Sequence, residues 1–276
     1  MRLFAGSLLF IATISAIVYS CAHNPYAKTN KQYKKQAKQL AKNLQPVPNK
    51  LFLDSAIMPV YAVGTTNFDL RKPNFVIIHH TAQNSCEQTL KTFTLQRTKV
   101  SAHYVVCKDG TIHHMLNDYL RAWQAGVSKW GNFTDLNSSS IGIELDNNGS
   151  EPFPETQITS LIKLLDTLKR NYSIPTANFI GHSDIAPGRK VDPSAFFPWQ
   201  TLSQRGFGLW YDTTAVVMPA YFNAPQALRI IGYNIKDTLA AIRSFKLHFI
   251  PQDTVAIRTL TDADKKILFD LSQRYQ

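Results

Sequence analysis

Short apolar runs of strand length, separated by stretches of helical or turn character, constrain this chain more than any other feature. Phe75-Val76-Ile77-Ile78 suits a buried strand. Cys86–Arg97 reads as a helix and Ala102–Cys107 as a second strand. Lys108-Asp109-Gly110 then signals a turn, and Thr111–Leu116 supplies the returning strand of a hairpin. Ile141-Gly142-Ile143-Glu144-Leu145 is a further strand. Thr156–Arg170 is an amphipathic helix, with Ile158, Leu161, Ile162, Leu165 and Leu168 on one face, and Asn178–Gly181 gives a last short strand. Strands interleaved with helices, plus one hairpin, predict an α/β domain with a mixed central sheet flanked by helices.

The pattern changes near Gly208. Ala224–Ile231, Lys236–Phe249 and Asp262–Tyr275 read as three short helices. Gly232 stops the first, and Thr261 with Asp264 has the spacing of a capping pair opening the third. These helices predict a small C-terminal domain over residues 207–276, with a binding or packing role, beside a larger domain over residues 51–206.

At the other end, Arg2 precedes an apolar run from Leu3 to Tyr19. At about 17 residues the run is short for a membrane span. A basic start, an apolar stretch and the small Ser20 before Cys21 describe a secretory signal over residues 1–20. Residues 21–50 follow as a tether with seven lysines and no acid between Ala22 and Lys50, helical near Lys31–Lys42. This charge suits anionic lipid head groups, and a solvated spacer explains it as well. The net charge of +11 speaks of partners rather than of fold. No segment resembles a nucleic-acid-binding module. Cys86 and Cys107 form either a disulfide, closing a loop of about 20 residues, or two buried thiols, and both readings stand at this point.

Four features carry chemistry. His79 ends the first apolar strand, Glu144 lies within the strand Ile141–Leu145, His182 follows Ile180-Gly181, and Lys190 and Asp192 lie in Gly188-Arg189-Lys190-Val191-Asp192-Pro193. Two imidazoles and a carboxylate suit zinc, with the fourth tetrahedral position open. A carboxylate off the metal, Glu144, can take a proton from water, and a cation, Lys190, can balance an oxyanion. Taken singly, each residue has an ordinary structural role, so the composite motif decides.

Val76-Ile77-Ile78-His79-His80-Thr81-Ala82, Ser101-Ala102-His103-Tyr104, Ser140–Leu145 and the long segment Gly181–Pro193 together resemble the type-2 N-acetylmuramoyl-L-alanine amidases. That family shares its fold with AmpD-type enzymes and peptidoglycan recognition proteins. Within it, Phe197-Pro198-Trp199-Gln200, Gly206-Phe207-Gly208 and His248-Phe249-Ile250-Pro251 are similar to stretches of the AmiD outer-membrane lipoprotein amidases. The resemblance covers roughly residues 50 to 276 and implies Zn2+ held by His79, His182 and Asp192, with Glu144 and Lys190 catalytic. It implies hydrolysis of the amide between N-acetylmuramic acid, anhydro forms included, and the L-alanine of peptidoglycan stem peptides. The C-terminal helices then resemble a peptidoglycan-binding domain, Val18-Tyr19-Ser20-Cys21 a lipobox, and Cys21 the site of a lipid anchor in the outer membrane, facing the periplasm.

His103, Trp123 and Trp130 are candidates to line a glycan-peptide groove, and a core position explains either Trp as well. Gln124 stands where the family usually has His, and His80 where it often has Tyr. The rival from another class is a non-catalytic peptidoglycan-binding lipoprotein of the same fold. Such members typically lose one or more metal ligands, whereas this chain carries the whole set.

Overall fold

A computed structural model describes residues 24–44, 65, 67, 70, 72–252 and 258–276. The signal segment and Cys21 lie outside the described residues. The chain divides into two compact units, Met1–Asn67 and Phe68–Gln276. In the first, helix α1 (Ala27–Lys42) buries none of its residues. Lys28, Lys31, Lys35, Lys38 and Lys42 recur at alternating three- and four-residue spacings, so they form one stripe along it.

The second unit is built on five strands: β1 (Phe75–His80), β2 (Tyr104–Val106), β3 (Ile112–His114), β4 (Ser140–Leu145) and β5 (Phe179–Gly181), in the order β3-β2-β4-β1-β5. The β1–β4, β1–β5 and β2–β4 pairs are parallel, and only the β2–β3 hairpin is antiparallel. Because β1 lies between two parallel neighbours and is covered on both faces, its sequence runs apolar without alternation.

Successive side chains still point to opposite faces. Val76 and Ile78 pack with Ile141, Ile143 and Leu145 against α4 (Glu155–Tyr172) through Leu161, Leu165 and Leu168. Phe75 and Ile77 face the other way. They share a core with Leu228, Phe245 and Leu268 of α7 (Ala224–Ile231), α8 (Thr238–Phe249) and α9 (Asp262–Arg274). The C-terminal helices therefore close one face of the sheet. The expected cap of α9 is present, with Thr261 and Asp264 satisfying each other's backbone N–H groups.

The shorter helices are α2 (Cys86–Thr94), α3 (Leu136–Ser139), α5 (His182–Ile185) and α6 (Trp199–Gln204). The helix expected over Cys86–Arg97 ends earlier, because Leu95 turns extended before a 3₁₀ turn at Gln96–Thr98. Cys86 at the start of α2 and Cys107 just after β2 form a disulfide, with their Cα atoms 5.4 Å apart.

Candidate active site

Three parallel strands deliver their carboxyl ends to one edge of the sheet, where open α/β sheets characteristically bind ligands. His79 and Glu144 are register partners across β1 and β4, so their side chains leave the sheet side by side. His182 begins α5 directly after β5. Asp192 is drawn in by its own backbone, whose carbonyl accepts the N–H of Ser183 at 2.7 Å.

His79 Nδ1 lies 2.9 Å from His182 Nδ1, and each is 3.0 Å from Asp192 Oδ2. All three residues are buried. The far nitrogens are fixed by the surrounding chain. His182 Nε2 donates to the Ala125 carbonyl at 3.1 Å. His79 Nε2 donates to Gln124 Oε1 at 2.6 Å, while Gln124 Nε2 donates to Ser140 Oγ at 2.8 Å, and Ser140 Oγ in turn donates to the Leu136 carbonyl. With each Nε2 carrying the proton, each Nδ1 presents a lone pair. Two lone pairs and a carboxylate oxygen then face one another, a donor set that fits a divalent cation.

Burial and the charge of His79 push His182 down to about 4, so it stays neutral. Burial alone would lower His79, but Glu144 and Asp192 outweigh it and raise it. Asp192, against the effect of its own burial, is held well below the usual carboxylate range by the two imidazoles beside it. Burial, with Asp192 adding to it, raises Glu144, whose Oε2 is buried with no hydrogen-bond partner among the described residues.

A cleft of about 430 Å³ opens over this cluster, lined among others by Thr81, Trp123, Glu144, Lys190 and Val191. Trp123 is half exposed at this cleft. The other two candidate groove residues do not line it. His103 is fully buried, its Nε2 donating to Leu120 O and its Nδ1 accepting from Gly142 N–H, which makes it a brace between β4 and the loop beyond β3. Trp130 is buried edge-on against Tyr233 and Tyr275 in the core. Sequence reasoning missed Gln124 as a partner of His79, although its departure from the family pattern marked the position. It also missed Arg189, whose guanidinium ties down the Ala125 and Val127 carbonyls. His80 is turned away from the cluster, its Nδ1 accepting the Ser194 N–H at 3.1 Å. A second ligand-type group, Cys86, Cys107 and His113, also lies within 4.8 Å, but both its sulfurs are committed to the disulfide.

A mostly parallel sheet with a buried His-His-Asp cluster at its carboxyl edge defines a hydrolase-type site of the amidase fold. Residues 69–195 match the N-acetylmuramoyl-L-alanine amidase family. The chain is 34% identical over 208 residues to the N-acetylmuramoyl-L-alanine amidase AmiD of Escherichia coli, an alignment covering 64% of this chain and 74% of that one. It is 36% identical over 107 residues to the 1,6-anhydro-N-acetylmuramyl-L-alanine amidase AmpD of Haemophilus influenzae, covering 38% of this chain and 58% of the relative. Among solved structures, AmiD of E. coli with anhydro-N-acetylmuramic acid-L-Ala-D-γ-Glu-L-Lys superposes with a TM-score of 0.65 at 30% identity, covering 77% of this chain and 93% of that one. AmpDh3 of Pseudomonas aeruginosa with an anhydromuramic pentapeptide gives 0.67 at 27%, covering 82% and 99%. The chain belongs to the N-acetylmuramoyl-L-alanine amidases.

Proposed function

We propose that this amidase is zinc-dependent and cuts the amide between N-acetylmuramic acid, in ordinary or anhydro form, and the L-alanine that begins the stem peptide. The observation that carries this reading is the convergence of His79 Nδ1, His182 Nδ1 and Asp192 Oδ2 to within 2.9–3.0 Å, lone pairs inward. A zinc ion held by these three would act as a Lewis acid toward the scissile carbonyl and toward water. Glu144 does the proton work. Its carboxylate takes a proton as water adds to the lactyl carbonyl and gives it to the alanine nitrogen as the C–N bond breaks. Its raised pKa suits a group that must both accept and release a proton. Lys190, on the cleft wall, balances the negative charge that develops on the carbonyl oxygen. Trp123 offers a flat face to the substrate at the rim. Two structural neighbours bound to anhydromuramyl peptides support the substrate class.

The chain's place is the outer membrane, facing the periplasm, held by lipid on Cys21 after removal of residues 1–20. The stripe of lysines on α1 suits anionic head groups close to that anchor. Labelled palmitate should enter the wild type and not Cys21→Ser.

The activity is tested by mass spectrometry of defined muropeptides after incubation. Free stem peptide should appear with zinc and disappear with chelator. Binding without turnover in the zinc-loaded protein would instead favour a non-catalytic peptidoglycan receptor.

A further inference from the structure

Asp184 is fully buried two residues beyond His182, outside the cluster just described. Its Oδ2 accepts the Gly181 N–H at 2.7 Å, which fixes the turn from β5 into α5. The same carboxylate receives two further hydrogen bonds, both from the C-terminal helical region. Tyr233 donates its hydroxyl to Oδ1 at 2.8 Å, and His248, on α8, donates from Nδ1 to Oδ2 at 2.7 Å. Both donors are themselves buried.

A second contact reaches the same turn. The His248 ring stacks on Trp199 with centroids 3.9 Å apart. Trp199, Asp184 and Pro193 crowd Gly181 so closely that a Cβ there would meet all three at 3.0–3.1 Å. The turn is therefore crowded both by the loop carrying Asp192, through Pro193, and by Trp199, on which His248 stacks. Because Ser183 N–H also holds the Asp192 carbonyl, movement of α5 would carry His182 and Asp192 together.

We infer that Tyr233 and His248 are positioning residues for the metal site, acting through Asp184 on the turn that presents His182 and Asp192. The C-terminal helices are thus part of the scaffold that sets metal affinity. A buried carboxylate short of a donor is costly, so removing either one invites Asp184 to rotate or draw in water. Either change loosens the turn, and metal affinity depends on how rigidly its ligands are held. The inference rests on the zinc reading given above.

The test measures zinc affinity by competition with a chromophoric chelator, alongside thermal unfolding of the metal-free protein, in the full chain. Tyr233→Phe removes one hydroxyl from an otherwise isosteric ring. His248→Leu removes donor and stack, and His248→Asn keeps an N–H near the Nδ1 position. At a temperature where all are folded, zinc should bind on the order of tenfold more weakly to His248→Leu and to Tyr233→Phe, with His248→Asn recovering part of the loss. If His248→Leu does not fold, Tyr233→Phe and His248→Asn decide the matter. Folded variants that melt earlier but bind zinc within about twofold of wild type would overturn the coupling, since purely structural residues behave that way. A wild type that takes up no zinc would instead bring down the metal reading beneath it.

Discussion

Gln124 Oε1 accepts a hydrogen bond from His79 Nε2 at 2.6 Å, and its own amide nitrogen is spent on Ser140, so the amide cannot flip without losing both bonds. This arrangement fixes which nitrogen of His79 is free for a metal. Replacing Gln124 by Leu should weaken zinc binding about 10–100-fold. Ser140→Ala, which frees the amide to turn, should show a smaller loss in the same chelator competition. Unchanged affinity in both would mean that His79 holds its tautomer without them.

Glu144 is assigned proton transfer and no metal contact. Glu144→Gln should therefore bind zinc with undiminished stoichiometry while turnover falls by roughly 10²–10⁴-fold. Metal content and stem-peptide release measured on one preparation separate the two effects. Loss of metal together with activity would move Glu144 into the ligand set.

The disulfide between Cys86 and Cys107 closes a loop with a sequence separation of 21. Chain-entropy arguments give a stabilisation of about 3 kcal/mol for such a loop. The double variant Cys86→Ala/Cys107→Ala should lower the urea midpoint correspondingly, and a reductant should shift wild type to meet it while leaving the variant unmoved.

Three tyrosines that donate to buried or half-buried carboxylates predict how stability responds to alkali. Tyr104 and Tyr172 both donate to Asp118, as Tyr233 does to Asp184. Burial first, and the neighbouring carboxylate second, raises all three phenols above their ordinary value. In the unfolded chain they ionise near pH ~10. Their contribution to stability is complete below that pH and is lost as pH rises toward their folded values. These three, with Tyr275, whose phenol burial also raises, should stay protonated until the protein unfolds. Phenolate absorbance and circular dichroism followed together would show it. Independent ionisation of all three near pH ~10 in a folded protein would contradict these raised values.

The lysine stripe on α1 predicts charge-dependent adsorption. With each lysine contributing about 1 kcal/mol at an anionic surface, Lys31→Gln/Lys35→Gln/Lys38→Gln should bind phosphatidylglycerol vesicles about a hundredfold more weakly than the parent. The parent should be a non-lipidated Cys21→Ser protein, so that no acyl chain masks the effect. Equal binding to neutral phosphatidylcholine vesicles would rule out an electrostatic role.

Much of this architecture was legible because it is local. The apolar run Phe75–Ile78 announced a central strand, and the face of Ile158, Leu161, Leu165 and Leu168 announced the helix that covers it. The motif around His182 marked the cluster residues because their types fit the chemistry. What the sequence did not disclose depends on distant partners. Nothing in the neighbourhood of His103 tells that both its nitrogens serve the backbone, and Trp130 looks the same in a core as in a groove. The three C-terminal helices are legible from their local spacing and end signals. Their use as one cover of the sheet follows from Phe75 and Ile77 facing them, a pairing that a single sequence does not encode.

Gly142 leaves a notch in β4, and the side chain of Gln124 occupies it: a Cβ at that position would lie 2.5 Å from Gln124 Cγ. The strand and the loop thus interlock at a point where neither has spare room. Positions 124 and 142 consequently make a single heritable choice. A lineage that enlarges residue 142 must surrender the amide that steadies His79, and a lineage that keeps the amide is bound to the glycine.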